Sequence, residues 1–278
     1  MKVTFFTTCM GRLNHLRRTL PKNIDDNKDY PNCNFLVLDY NSSDGLEYWI
    51  KSEMGSFIKS GKLLYHKTNK PRFFWHNHAK NVAAKLTPQD TDIICSLDAD
   101  NFSAKNKEGI GLAKMLSQIF QSNQHEKTFV RACGWDYDPK FYSCSGKIAT
   151  LRKDFMKVKG FNENLKGHYF DEEEFWRRLE KVGKYKHIRL EPEYSKAISN
   201  TNFERLVNLD PALISEEYLA QLEKKNPEFT EKDFMVDMDV ARFYPQGIKN
   251  RDMTTEVLKK KILVPNQSSW GEIDLLSQ

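Results

Sequence analysis

Between residues 3 and 121 short apolar, β-rich runs alternate with helical patterns, and this alternation leaves few folds open. The runs that read as strands are Val3–Thr8, Phe35–Asp39, Leu63–His66 and Ile93–Asp98. The intervening helical stretches are Leu13–Leu20, Leu46–Ile58, Asn77–Leu86 and Gly109–Gln121. Strand–helix–strand order predicts an α/β fold with a mostly parallel sheet, because a helical crossover returns the chain to the same edge in the same direction. In such sheets helices cover both faces and ligands gather beyond the carboxyl ends of the strands, so the last residues of each strand become the candidates for chemistry.

With 278 residues the chain is long enough to bury one large domain, with or without a small appendage. Hydrophobic residues at 39% and charged residues at 29% exclude the disordered and membrane-embedded classes. The 43 Lys and Arg are spread along the chain and offset by 38 Asp and Glu, leaving a net charge of +5 with no basic arm; nucleic acid is therefore not an expected partner. A nucleoside diphosphate, or an acidic membrane surface, suits that balance. The opening Met1-Lys2-Val3-Thr4-Phe5-Phe6 does not read as a signal peptide, and no apolar run approaches the ~18 residues of a membrane span. The expected location is cytoplasmic, in the cytosol or on the cytosolic face of a membrane. Cys9, Cys33, Cys95, Cys133 and Cys144 form no C-x-x-C pair, and they read as reduced core thiols.

Beyond residue 128 the pattern loosens to a strand at Phe129–Cys133 and a helix at Glu172–Val182 that stops at Gly183. After about residue 200 charged helical stretches are punctuated by Pro211, Pro227, Pro245 and Pro265. This divides the chain into an α/β domain over 1–200 and a C-terminal helical extension over 201–278.

Three segments carry candidate chemistry. Ile93-Ile94-Cys95-Ser96-Leu97-Asp98-Ala99-Asp100-Asn101 is an apolar strand ending in two carboxylates two positions apart. In extended chain, residues i and i+2 share a side, so Asp98 and Asp100 can converge. Their charges repel unless a cation sits between them, and a hard oxygen set favours Mg²⁺ or Mn²⁺. A solvated turn is the plainer explanation, and the position at the end of a buried strand favours the functional one. A second strand ends in Asp39, placed to meet a nucleoside, while Asp44 or the serines before it read as caps of the helix that follows. The third segment, Gly160-Phe161-Asn162-Glu163 and then Gly167-His168-Tyr169-Phe170-Asp171-Glu172-Glu173-Glu174-Phe175-Trp176, opens a helix with four carboxylates. The helix dipole welcomes negative charge at that end, but four exceed what it needs; Asp171 and Glu172 are best placed for base work. Trp176 reads equally as core or as a sugar platform. The aromatic stretch Arg72-Phe73-Phe74-Trp75-His76 reads as pocket lining or as packing on the core, and His76 with His78 alone makes a poor zinc site.

These segments, in this order, resemble the family-2-like glycosyltransferases of the GT-A fold. The resemblance covers about residues 2 to 190. Thr7-Thr8-Cys9-Met10-Gly11-Arg12 looks like that family's first strand and nucleotide-contacting turn, Asp39 like its base-contacting carboxylate, and His78-Ala79-Lys80-Asn81 like its Ala-Arg-Asn element with lysine for arginine. Asp98-Ala99-Asp100 resembles the metal-binding D-x-D, and the third segment resembles the acceptor-side signatures, with the order of the acidic pair reversed to Asp171-Glu172. The resemblance implies an inverting, metal-dependent transfer from a nucleotide-sugar, a UDP-sugar by family frequency, to a hydroxyl on a glycan or other acceptor. It implies Thr8, Arg12, Asp39, Lys80 and Asp98 at the donor, Asp98 and Asp100 on Mn²⁺ or Mg²⁺ with His187 as the candidate third ligand, and Glu172 as base by position, with Asp171 beside it. Two other classes share such a sheet. A nucleotidyltransferase would need a Gly-rich phosphate loop, of which Gly11-Arg12 is a thin version, and a non-catalytic carbohydrate-binding protein would not need the Asp171-Glu172 pair.

Overall fold

The computed structural model describes residues 1–200, 204, 207–216 and 245–276. Its first half follows the alternation in the sequence: β1 (Val3–Cys9), α1 (Leu13–Asp26), β2 (Cys33–Tyr40), α2 (Leu46–Glu53), α3 (Gly55–Lys59), β3 (Leu63–Thr68), α4 (His76–Lys85) and β4 (Ile93–Ser96). Then come β5 (Asn101–Phe102), α5 (Leu112–Ser122), β6 (Thr128–Arg131), β7 (Ile148–Leu151), α6 (Arg152–Lys157), α7 (Asp171–Arg177), β8 (Lys186–Arg189), β9 (Lys196–Ala197) and α8 (Pro245–Lys259).

Seven strands form one sheet in the order β3-β2-β1-β4-β7-β6-β8, and β5 pairs with β9 apart from it. β1 pairs parallel with β2 and β4, β2 with β3, and β6 with β8; β7 runs antiparallel to both β4 and β6. The sheet is thus mostly parallel, with one reversed strand beyond the switch at β4.

Every residue of β1 and β2 is buried, as expected of strands covered on both faces. Strand alternation sends Phe5 and Val37 into a layer with Leu16, Leu20 and Ile24 of α1, while Phe6 and Leu36 enter a second layer with Ala79 and Val82 of α4 and Phe175 of α7. Each fully buried side chain of that size contributes roughly 1.5–3 kcal/mol. Gly160 is needed for close approach: it holds φ +62°, and a Cβ there would lie 2.2 Å from Asn81 Oδ1. Asn81 in turn accepts from Phe161 N–H (2.8 Å) and donates to its carbonyl, tying α4 to the Gly160-Phe161 segment.

Several boundaries differ from the sequence reading for identifiable reasons. The first helix runs past Pro21 to Asp26, because burial of Asn23, Ile24 and Asp26 outweighs the one lost backbone hydrogen bond. The stretch read as Leu46–Ile58 divides at Met54 into α2 and α3. The helix read as Glu172–Val182 starts at Asp171 and passes into a π-helical turn over Arg178–Val182. All five cysteines are buried and free. No described helix is long and apolar enough to cross a membrane.

The part of the chain after residue 200 that is described packs on the first part. Asn266 donates to the carbonyls of Lys159 (2.7 Å) and Phe161 (2.5 Å), and Lys85 donates to Trp270 O (2.9 Å). On α8, Asn250 Nδ2 reaches the carbonyls of Lys166 (2.8 Å), His168 (3.1 Å) and Tyr169 (3.0 Å), bracing the loop that leads into α7. That loop carries Tyr169 and Phe170 at positive φ (72° and 61°), a conformation bulky residues adopt only where the surroundings impose it. Residues 201–203, 205–206, 217–244 and 277–278 of the expected extension lie outside the described residues.

Candidate active site

A cavity of about 170 Å³ opens beyond the carboxyl ends of β1 and β4. Thr8 and Arg12 line it from the first strand and its loop, Asp98 and Asp100 from the turn after β4, and Glu172 from the mouth of α7. Ser143, Ser145 and Gly146 close one wall, and Asn200, Asn208 and Leu209 close another.

Asp98 and Asp100 share this cavity, although not through the extended geometry expected of them. The strand ends at Ser96, and Asn101 N–H donates to Asp98 O (2.9 Å), so a turn carries the pair. Asp100 accepts from the side-chain amides of Asn101 (2.7 Å) and Asn200, and Asn200 accepts from Arg12 Nη1 (2.7 Å). Asp98 Oδ1 lies 3.0 Å from Lys80 Nζ, which also donates to Glu172 Oε1 (2.6 Å). Lys80 is 1% exposed and lies under the cavity rather than along it.

At the mouth of α7 the two acids have different surroundings. Asp171 is buried and bound to His76 Nδ1, whereas Glu172 faces the cavity with His76 Nδ1 3.7 Å from its Oε1. Burial opposes charge on Asp171, but His76 outweighs it and holds the carboxyl well below its usual range. Burial, and then the Asp171 charge, push Glu172 up to about 7. Burial and Lys80 work against a proton on His76; Asp171 and Glu172 prevail and raise its pKa. Burial also works against charge on Lys80, and Asp98 and Glu172 reverse it, so the ammonium persists.

The donor sets fit a divalent cation. Burial and then the Asp98 charge raise Asp100, a repulsion that a hard cation between two carboxylates removes. Asp98 is held low because Lys80 overcomes its burial. Two sets of three residues bring ligand atoms within 4.8 Å of one another: His76, Asp98 and Glu172, and His76, His168 and Asp171. Gly146 shows how tightly the groups converge. A Cβ on it would lie 2.5 Å from Asp98 Oδ2, 2.7 Å from Glu172 Oε1 and 2.9 Å from Lys80 Nζ.

Other residues singled out in the sequence lie elsewhere. Asp39 is fully buried behind the cavity, accepting from Ser42 N–H (2.7 Å) and Tyr65 Oη (2.7 Å), and burial raises its pKa. His187 is not brought to the D-x-D turn: β8 stands three strands from β4, on the order of 14 Å at strand spacing. Its ring stacks on Phe129 (4.9 Å) and Trp176 (6.3 Å), and burial with Arg131 and Arg189 pushes its pKa down to about 4. Trp176 itself lies under Arg131 (4.2 Å), so packing and not a sugar platform accounts for it. Asp44 caps α1 rather than α2, accepting from Leu13 N–H (2.7 Å). From the aromatic stretch, Phe74 and His76 line the cavity, while Trp75 stacks on His78 (4.8 Å). Asn200, Asn208 and Gly146 carried no sequence signal, since single Asn and Gly residues in loops are commonplace.

No family model matches the chain, and no curated protein matches it. Solved structures do. The chain is similar to a mannosyltransferase, PcManGT from Pyrobaculum calidifontis in complex with GDP-Man and Mn²⁺, at 14% identity and TM-score 0.54, over 94% of this chain and 72% of that one. It is similar to residues 1–349 of S. aureus TarS at 13% identity and TM-score 0.53, over 95% and 83%. It is also similar to the catalytic domain of Drosophila β1,4-galactosyltransferase 7 in complex with xylobiose, at 12% identity and TM-score 0.50, over 82% and 81%. The fold is of the GT-A glycosyltransferase type.

Proposed function

We propose that this chain is a metal-dependent glycosyltransferase that moves a sugar from a nucleoside-diphosphate sugar to an acceptor hydroxyl with inversion. The observation that carries the reading is that Glu172 and the Asp98–Asp100 turn open onto one cavity, at the end of the sheet where such folds bind ligands. The solved structures of the same fold support it, since PcManGT is described with GDP-Man and Mn²⁺ and TarS with UDP. A UDP-sugar is the first donor to test.

Asp98 and Asp100 would hold the divalent ion, Mn²⁺ or Mg²⁺, and Asn200 fixes the orientation of Asp100 through the Arg12 contact. When bound, the ion supplies Lewis-acid stabilisation of the diphosphate leaving group. Glu172 is the base. Of the two acids at the mouth of α7 it faces the cavity, and a pKa near 7 lets it accept a proton at neutral pH. Its carboxylate takes the proton of the acceptor hydroxyl as that oxygen bonds to the anomeric carbon and the bond from that carbon to the diphosphate breaks. A single displacement of this kind inverts the anomeric centre. Asp171 acts through His76, holding the imidazolium beside Glu172, and Lys80 fixes the Glu172 and Asp98 carboxylates from below. Thr8 and Arg12 flank the donor on the β1 side. Asp39, behind the cavity, would reach a nucleoside base only through the Ser42 turn that it holds.

Incubation with UDP- and GDP-sugars, with Mn²⁺ or with a chelator, tests the reading. Metal-dependent release of nucleoside diphosphate is expected. Pyrophosphate release would instead assign nucleotidyl transfer, and release of neither product would leave a carbohydrate-binding protein on this fold.

A further inference from the structure

One wall of the cavity continues outward into a feature that the mechanism does not use. The segment between β6 and β7 makes a tight turn, with Tyr137 and Asp138 N–H both donating to Gly134 O (3.0 and 3.2 Å). Asp136 in that turn is clamped from two sides, by Arg131 Nη2 (2.9 Å) and Arg189 Nη2 (3.0 Å). Next to it stands Trp135, 51% exposed, and then Tyr137, 54% exposed. Trp135 is the exposed tryptophan of the five in the chain, and its indole has no ring, cation or hydrogen-bond partner among the described residues. A large aromatic left in water on a braced turn is the arrangement of a preformed contact surface, because little ordering remains to be done when a ligand arrives.

Its position says what that ligand is. Trp135 N–H donates to Ser145 Oγ (3.3 Å), and Ser145 lines the cavity beside Gly146. Gly146 abuts both Asp98 Oδ2 and Glu172 Oε1, so the Trp135 backbone is tied to the wall that these two acids share. An acceptor that presents its hydroxyl to Glu172 and extends along the Ser145-Gly146 wall would reach the Trp135 turn. The exposed apolar face there, with the Tyr137 phenol and Arg189 alongside (5.2 Å), matches a pyranose ring: C–H groups on its face and hydroxyls on its rim.

We propose that Trp135 is a sugar-binding platform for the acceptor, and that the acceptor is an oligosaccharide whose second or later ring stacks on this indole. The proposal rests on the transferase reading above. Trp135 emission is read while the protein is titrated with gluco-, galacto-, manno- and xylo-oligosaccharides of one to four units. A saturable change is expected with chains of two units or more, and none in Trp135→Ala. In transfer assays with the same series, KM should fall as the acceptor lengthens. Trp135→Ala should raise KM for the longer acceptors about tenfold, and Trp135→Phe, which keeps an aromatic face, should recover most of that loss. No emission change with any member, or equal KM for wild type and Trp135→Ala at every length, overturns the platform. Failure of the underlying reading has a different signature, namely no nucleoside diphosphate released by the wild-type protein from any donor, and the emission titration decides the platform independently of it.

Discussion

Two acidic pairs meet at the cavity, joined by Lys80 between Asp98 and Glu172, and they are built differently. In each pair one carboxyl is held low and its neighbour is raised: Asp98 below Asp100, and Asp171 below Glu172. At the turn after β4 the contacts of Asp100 are neutral amides, so its charge remains free to meet a cation. At the mouth of α7 the buried member is consumed by His76, and its charge helps to push Glu172 toward neutrality. Like charges placed close together thus create two settings, to which the proposed mechanism assigns a shared cation and a base with its anchor.

The largest effect should come from the first pair. Asp100→Ala is expected to lower kcat on the order of 10³-fold with an unchanged melting temperature, because the side chain lines a cavity rather than the core. Retention of full turnover would remove this pair from the mechanism. The second pair separates in its own way. Glu172→Gln should lose about 10²- to 10⁴-fold in kcat and remain folded. Asp171→Asn should destabilise the fold by about 3 kcal/mol in denaturant titration, since it strands the His76 charge. If the two variants exchange these behaviours, their roles are exchanged.

The pH profile sharpens the same contrast. Glu172 must be ionised to accept a proton, and burial with Asp171 raises its pKa to about 7. Turnover under saturating donor should therefore rise with pH and level off above that value, falling about tenfold for each unit below it. A profile flat from pH 5 to 8 would contradict the assignment. The smallest effect is expected from the brace: Asn250→Ala leaves the Lys166, His168 and Tyr169 carbonyls short of a donor, and should lower stability by about 1–3 kcal/mol with a severalfold loss of kcat.

The parallel half of the sheet was legible because its strands are continuous apolar runs and its connections are local helices; Val3–Thr8 and Ile93–Asp98 miss the observed ends by one and two residues. On the other side of β4 only β6 was legible, read as Phe129–Cys133 and observed as Thr128–Arg131. β7 and β8 are four residues each, and their pairing is decided by partners far along the chain, such as Ile148 opposite Arg131 and Lys186 opposite Thr128. The site divides similarly. Asp98, Asp100 and Glu172 announce themselves as acids at element ends. Asn200 and Gly146 matter only through what folding brings against them, and His187, attractive as a histidine late in the chain, is spent on stacking with Phe129.

The central claim is that the Asp98–Asp100 turn is where the divalent ion binds. Anomalous diffraction from crystals soaked in Mn²⁺ and a nucleoside diphosphate would locate the ion directly. A single manganese peak within bonding distance of Asp98 and Asp100 is the expected result, lost in Asp100→Ala. A peak held instead by His76, His168 and Asp171, or no peak at all, would contradict it.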